Sequence, residues 1–218
     1  MKQLLIYVAA LSVILAGCKS KNKSSYDLQN GDLLFSVGVG DSELLTAIQN
    51  STSKDQEIPF SHVGIVSVEN EGTFVIEATS PKGVVKTPLE DFFVETAEKD
   101  SKLLIAVGRL KPEYRYCIPS AIETAKSHLG KRYDYAYNET NNSFYCSELV
   151  RFAFNDSIGT PIFNPIEMSF KNQETQEIEP YWIEHFEKLN LPVPEGEPGT
   201  NPVDMLHSEI IEIVHRYY

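Results

Sequence analysis

An α+β domain is predicted by where the apolar runs lie and how they are spaced. Short β-branched runs separated by turn signals fill the first half of the chain, at 31–37, 61–68, 73–78, 83–88 and 103–110. Helical spacing then takes over, in Ile118, Ala121, Ile122, Ala125 and Leu129 and again in Cys146, Leu149, Val150, Ala153 and Phe154. Strands first and helices afterwards point to α+β rather than to alternating βα units. With 218 residues the chain is long enough for one ordinary domain.

Taken in order, the run at 31–37 follows a Gly31-Asp32 turn signal and reads as a strand. Residues 42–50 suit a brief helix with Leu44, Leu45 and Ile48 on one face and Asp41 or Ser42 as cap, and 51–59 read as a polar loop. Ser61-His62-Val63-Gly64-Ile65-Val66-Ser67-Val68 and Thr73-Phe74-Val75-Ile76-Glu77-Ala78 flank Asn70-Glu71-Gly72, which makes a hairpin. Residues 83–88 and 103–110 add two strands. Pro119 near the start and Gly130 past the end bound the first long helix. Ser143 suits the N-cap of the second, placing Cys146 in its first turn. Residues 171–202 are acidic and proline-rich, with an aromatic insert around Tyr181-Trp182. Residues 203–214 close the chain as a helix or a strand.

The N-terminus carries an address rather than structure. Lys2 precedes an apolar run at 4–15 that is too short to span a bilayer and suits a signal-peptide core. Leu15-Ala16-Gly17-Cys18 resembles a bacterial lipobox, in which the cysteine becomes the acylated N-terminus. Residues 1–17 are therefore expected to be a signal peptide, 18–25 a lipidated polar tether and 26–218 the domain. An exported lipoprotein is expected, held on a membrane through acylated (palmitate-bearing) Cys18 and facing the periplasm or exterior. A net charge of −12 argues against a nucleic-acid partner, because phosphate binding needs a basic surface.

Three residues stand out for chemistry. Cys146 falls at a predicted helix start, where unpaired N–H groups and the macrodipole favour a thiolate. His62 opens the first hairpin strand and can take a thiol proton. Glu77 is the odd residue of its apolar strand, and the short turn allows a register in which it sits diagonally to His62. It would then hold the imidazole's tautomer, as the third member of a triad does. Against this stand a buried structural cysteine, a surface histidine and a solvent-facing glutamate. A Cys117–Cys146 disulfide would silence the enzyme, and a zinc site from His62, Glu77, Cys146 and His128 matches no compact ligand spacing. His128, His185, His207 and His215 read as structural or surface residues. No metal or other cofactor is required.

The elements Gly31-Asp32-Leu33-Leu34-Phe35, Ser61-His62-Val63-Gly64-Ile65-Val66, Val75-Ile76-Glu77-Ala78 and Tyr145-Cys146-Ser147-Glu148-Leu149-Val150, in that order, resemble the circularly permuted branch of the NlpC-like papain-fold hydrolases. In that branch the order is His, acid, Cys, with an antiparallel sheet or small barrel first and the cysteine helix after it. The resemblance runs from about Gly31 to Asp156 and more weakly to Pro202-Val203-Asp204. It implies Cys146 as nucleophile, His62 as base and Glu77 as orienting acid, acting through a thioester. The backbone N–H of Cys146 is the natural oxyanion donor. Gly130-Lys131-Arg132-Tyr133-Asp134 resembles the family's G-x-x-Y-D stretch, so Tyr133 either helps hold the substrate carbonyl or is a packed core tyrosine. The expected reaction is cleavage of an amide or ester bond in a peptide or lipid-like substrate, with acyl transfer and a silent binding module as rivals. Phe60, Phe92, Phe93 and Trp182 are candidates for lining a greasy cleft, with core packing the alternative.

Overall fold

A computed structural model describes residues 26–40, 42–52 and 58–218. The expected leader, Cys18, the tether and the Asp41 cap lie outside the described residues. In chain order the elements are β1 (Leu33–Ser36), α1 (Ser42–Thr52), β2 (His62–Glu69), β3 (Gly72–Thr79), β4 (Gly83–Pro88), α2 (Leu89–Val94), β5 (Glu98–Lys99), β6 (Lys102–Leu103) and β7 (Ile105–Leu110). A 3₁₀ turn, Pro112–Cys117, then leads into α3 (Ile118–Ser127), α4 (Cys146–Ala153), β8 (Ile166–Glu167), α5 (Pro180–Leu189), β9 (Pro198–Gly199), α6 (Pro202–Leu206) and β10 (Ile211–Arg216).

The main sheet has six strands in the order β10-β7-β1-β2-β3-β4, every neighbouring pair antiparallel. Strand alternation divides its side chains between two cores. Leu33, Phe35, Val63, Ile65, Ile76 and Ala78 face α3 and α4, while Leu34, Val66, Val75, Ile105 and Val107 face Phe92 and Phe93 of α2. Burial on both faces is why these strands read as nearly unbroken apolar runs rather than as alternating ones.

Two motif glycines have steric reasons. Gly31 lies at φ +80°, and a Cβ there would stand 2.7 Å from Ile118. It delivers Asp32, which is buried and takes Arg109 Nε at 2.7 Å and Nη2 at 2.8 Å in a two-pronged pair across β1 and β7. Removing one partner of such a buried pair typically costs about 3–5 kcal/mol. Gly64 faces β3, where a Cβ would meet Val75 Cγ1 at 2.3 Å and Glu77 Cβ at 3.3 Å. A side chain at 64 would therefore displace Val75 and crowd the base of Glu77.

Several local expectations are corrected. The run at 103–110 breaks at Leu104, whose N–H turns to Ala97 instead, so Leu103 belongs to a separate hairpin with β5. Helix α1 extends to Thr52, two residues into the expected loop. Residues 171–202, to which the sequence pattern assigns no element, contain a full helix, α5, begun at Pro180 and ended by Asn190 in the left-handed region at φ +56°. Residues 203–214 are both alternatives in succession, with α6 leading into β10. Ser143 is not the cap of α4: its N–H donates to Asn141 Oδ1, and Tyr145 is the N-cap.

Candidate active site

Cys146 is the first residue of α4, with Tyr145 extended before it at φ −90°, ψ 171°. The first hydrogen bond of the helix runs from Leu149 N–H to Tyr145 carbonyl, so the N–H groups of Cys146, Ser147 and Glu148 have no partner within the helix. The Glu148 carboxylate reaches back to accept from Tyr145 N–H at 3.1 Å, which fixes the helix entry. Burial pushes the Glu148 carboxyl up to about 8, against the pull of that N–H, with Asp134 and Glu139 adding to the rise. At neutral pH it is mostly a neutral acid and sets little charge beside the thiol. Tyr145 is pinned in turn, its hydroxyl accepting from Thr200 N–H at 3.0 Å.

His62 is the first residue of β2. Ile65 pairs with Ile76, so His62 and Glu77 are diagonal neighbours on one face, as the hairpin pattern suggested. His62 Nε2 and Glu77 Oε2 are 2.5 Å apart, which leaves Nδ1 for Cys146, the imidazole's other hydrogen-bond partner. Glu77 is further held by a residue that sequence reasoning missed. Thr87 on β4 donates its hydroxyl to Glu77 Oε1 at 2.5 Å, and Thr87 pairs with Val75, diagonal to Glu77 on that side. Phe92 backs the imidazole, with ring centroids 6.0 Å apart.

The electrostatics favour a charged pair. Burial alone would lower the His62 pKa, but the hydrogen bonds to Cys146 and Glu77 outweigh it and raise the imidazole to about 10. Burial pushes Glu77 up, and the His62 and Thr87 bonds more than reverse that, so its carboxyl titrates below the usual range. The histidine side chain keeps 19% of its surface open, whereas Glu77 keeps 3%, so only the imidazole faces the cleft.

Tyr133 lines the same cleft, and its hydroxyl is hydrogen-bonded to that of Tyr137, a residue not anticipated from sequence. Burial raises the pKa of both phenols, and the nearby Cys146 raises them further, so both remain protonated donors. Tyr137 stands at φ +51°, a left-handed conformation that costs roughly 1–2 kcal/mol for a residue of this kind. Asp134 builds that turn by accepting from Ala136 N–H at 2.9 Å and Asn138 N–H at 2.6 Å. The aspartate of the G-x-x-Y-D stretch thus orders the loop that carries both tyrosines.

The cleft has a volume of about 530 Å³ and is lined by His62, Cys146, both tyrosines and the inner face of α1. Of the four aromatics expected to line it, only Trp182 does so. Phe60 is consumed by the main core, and Phe92 and Phe93 sit under the opposite face of the sheet because α2 covers that side. Cys117 and Cys146 are both free thiols, and Cys117 donates to Tyr114 carbonyl at 3.0 Å rather than facing Cys146 in a disulfide. His128 packs on Phe144, His215 stacks on Tyr26, and His185 bonds the Tyr135 carbonyl, so these three have structural seats.

An antiparallel sheet carrying a His–Glu pair, followed in the chain by a cysteine-led helix, is the permuted papain-like fold. The chain belongs to the permuted papain-like amidases of the YaeF/YiiX, C92 family, whose model matches residues 27–215. It is 32% identical over 132 residues to YiiX of Escherichia coli strain K12, named an uncharacterized protein; the match covers 60% of this chain and spans 59% of that relative's length. The fold is also similar to a crystal structure described as that of metalloprotein yiiX from Escherichia coli O157:H7. That likeness has a TM-score of 0.70 and 23% identity, and it covers 88% of this chain and 99% of the other.

Proposed function

We propose that this member of the amidase family is a cysteine hydrolase that cleaves an amide or ester bond through a thioester on Cys146. The carrying observation is the imidazole bonded at once to a thiol at a helix start and to a buried carboxylate. Cys146 Sγ attacks the acyl carbon, the C–N or C–O bond breaks, and the His62 imidazolium gives its proton to the leaving atom. Water then attacks the thioester carbon while His62 takes its proton, the C–S bond breaks, and a carboxylic acid leaves. The N–H of Cys146 receives the oxyanion, and Tyr133 supports it by turning its hydroxyl from Tyr137 to the substrate. Glu77 holds the imidazole tautomer and balances its charge. The solved relative is described as a metalloprotein, but among the described residues here no three His, Cys, Asp or Glu side chains cluster as a metal site. No step is therefore routed through a metal.

The test is the relative reactivity of the two thiols. With iodoacetamide near neutral pH, Cys146 of the folded protein alkylates at least about tenfold faster than Cys117, and His62→Ala abolishes the difference. Equal rates in both proteins would remove the nucleophile from this reading. Products are then identified by mass spectrometry after incubation with cell-wall fragments and with membrane lipid extract.

The proposal also places the enzyme on a membrane through lipidated Cys18, supported by the lipobox-like Leu15-Ala16-Gly17-Cys18. No helix among the described residues is long and apolar enough to cross a membrane. In cells expressing the full chain, the protein partitions into the detergent phase, and Cys18→Ala moves it to the aqueous phase; unchanged partitioning would count against the anchor.

A further inference from the structure

The cleft is not uniform along its length, and helix α1 runs over it from one end to the other. Just before the helix, Val39 N–H donates to Glu95 carbonyl at 3.0 Å. At its far end, Asn50 carbonyl accepts from Gln173 N–H, Ser51 carbonyl accepts from Gln173 Nε2, and Asn50 Nδ2 donates to Glu179. The near end of the cleft carries Ser80, Lys82 and Glu95, with Lys82 Nζ 2.8 Å from Glu95 Oε1 and both side chains about half exposed. The far end is walled by Leu44, Ile48, Met168, Phe170 and Trp182, which belong to or pack on a small apolar cluster separate from the main core.

Polar atoms without partners line the far end too. The hydroxyls of Ser51 and Ser147 and the indole N–H of Trp182 are buried and bonded to nothing. All three residues line the cleft, and they come from three separate helices. Each such group is destabilising while unpaired, and every one of them is able to donate. A plain alkyl chain in this arm would leave all three unpaired. An apolar peptide, with hydrocarbon side chains for the wall and carbonyl acceptors for the donors, would not.

The chemistry orients the substrate. His62 protonates the leaving atom, so that atom lies on the His62 side of Cys146, with Ala78, Thr79, Ser80 and Lys82 beyond it. The acyl group then extends past Ser147 under the far half of α1. Resting on the cysteine-hydrolase reading, we infer that the substrate is an amide whose acyl side is an apolar peptide and whose amine side carries charge. Lys82 and Glu95 meet that charge.

The experiment uses the full chain and four synthetic amides with products followed by mass spectrometry: acetyl-leucyl-leucyl-glycine, decanoyl-glycine, acetyl-glycine and acetyl-leucyl-leucyl-butylamide. Cleavage is read at the bond to the glycine or butylamine nitrogen. The first compound gives a kcat/KM at least about tenfold above each of the others, because it alone fills the wall, meets the donors and presents a charged amine. Trp182→Phe keeps the wall but loses the indole donor, and it lowers the ratio of the first compound to decanoyl-glycine. If decanoyl-glycine is cut as well as or better than the peptidyl compound, the hydrolase stands and the peptide assignment is overturned. If the butylamide matches the glycine compound, the charged-amine half is overturned. If no compound gives product or an acylated Cys146, this inference and the hydrolase reading fall together.

Discussion

Cys146→Ala reduces turnover of any substrate to background, a loss of about 10⁴-fold or more, while leaving the protein folded. The sulfur is the one atom of this site that forms a covalent bond to the substrate. Without it the oxyanion donors and the cleft remain, but water must attack the amide or ester carbon in one step, with no thioester to divide the barrier. The folded state should tolerate the change, because Cys146 and alanine are both small and the helix entry is fixed by Tyr145 and Glu148. A stability change within about 1 kcal/mol in urea melts is expected. Intact-mass spectrometry separates the mechanisms: wild-type protein mixed with substrate carries an acyl adduct, and C146A does not. An adduct that persists in C146A would place the nucleophile elsewhere.

The same geometry shows which parts of the site were legible in the sequence. The hairpin of β2 and β3 was readable because its register is set by a short turn, and two residues diagonal across that turn must share a face. Cys146 at a helix start was readable because the apolar spacing after it is strongly helical. Thr87 was hidden although it obeys the same diagonal rule, since the turn between β3 and β4 did not fix the register from sequence. The far arm was hidden for a different reason. In α5, Trp182 and Phe186 sit at i and i+4, but prolines and acids around them dilute the period and leave the segment without a readable element. Placing α1 over Cys146 depends on bonds from residues 50 and 51 to residues 173 and 179, which no local pattern announces. Tyr137 reaches the cleft through a backbone conformation that its sequence context gives no reason to expect.

Glu77→Gln changes both the rate and the pH range of the reaction, and the two effects identify its role together. In the wild-type protein the imidazole is raised to about 10, so His62 carries its proton across the neutral range and loses it as pH rises through that value. The basic limb of kcat/KM therefore falls near pH 10, where the leaving group loses its acid. Glutamine accepts or donates at nearly the same place but brings no charge, while burial still disfavours the imidazolium. The His62 pKa drops, the charged form is lost at lower pH, and the basic limb moves in the acidic direction. Glutamine can also present its NH₂ to Nε2 and stabilise the wrong tautomer, which adds a loss in kcat of about 10²–10⁴ by analogy with triad carboxylates. Thr87, which donates to Glu77 Oε1, can hold the amide oxygen in the same place, so the substitution tests charge more than position. A full pH profile of E77Q beside wild type decides the matter. A basic limb that stays at the wild-type pH, with only the rate reduced, would make Glu77 a packing residue rather than the counter-charge of His62.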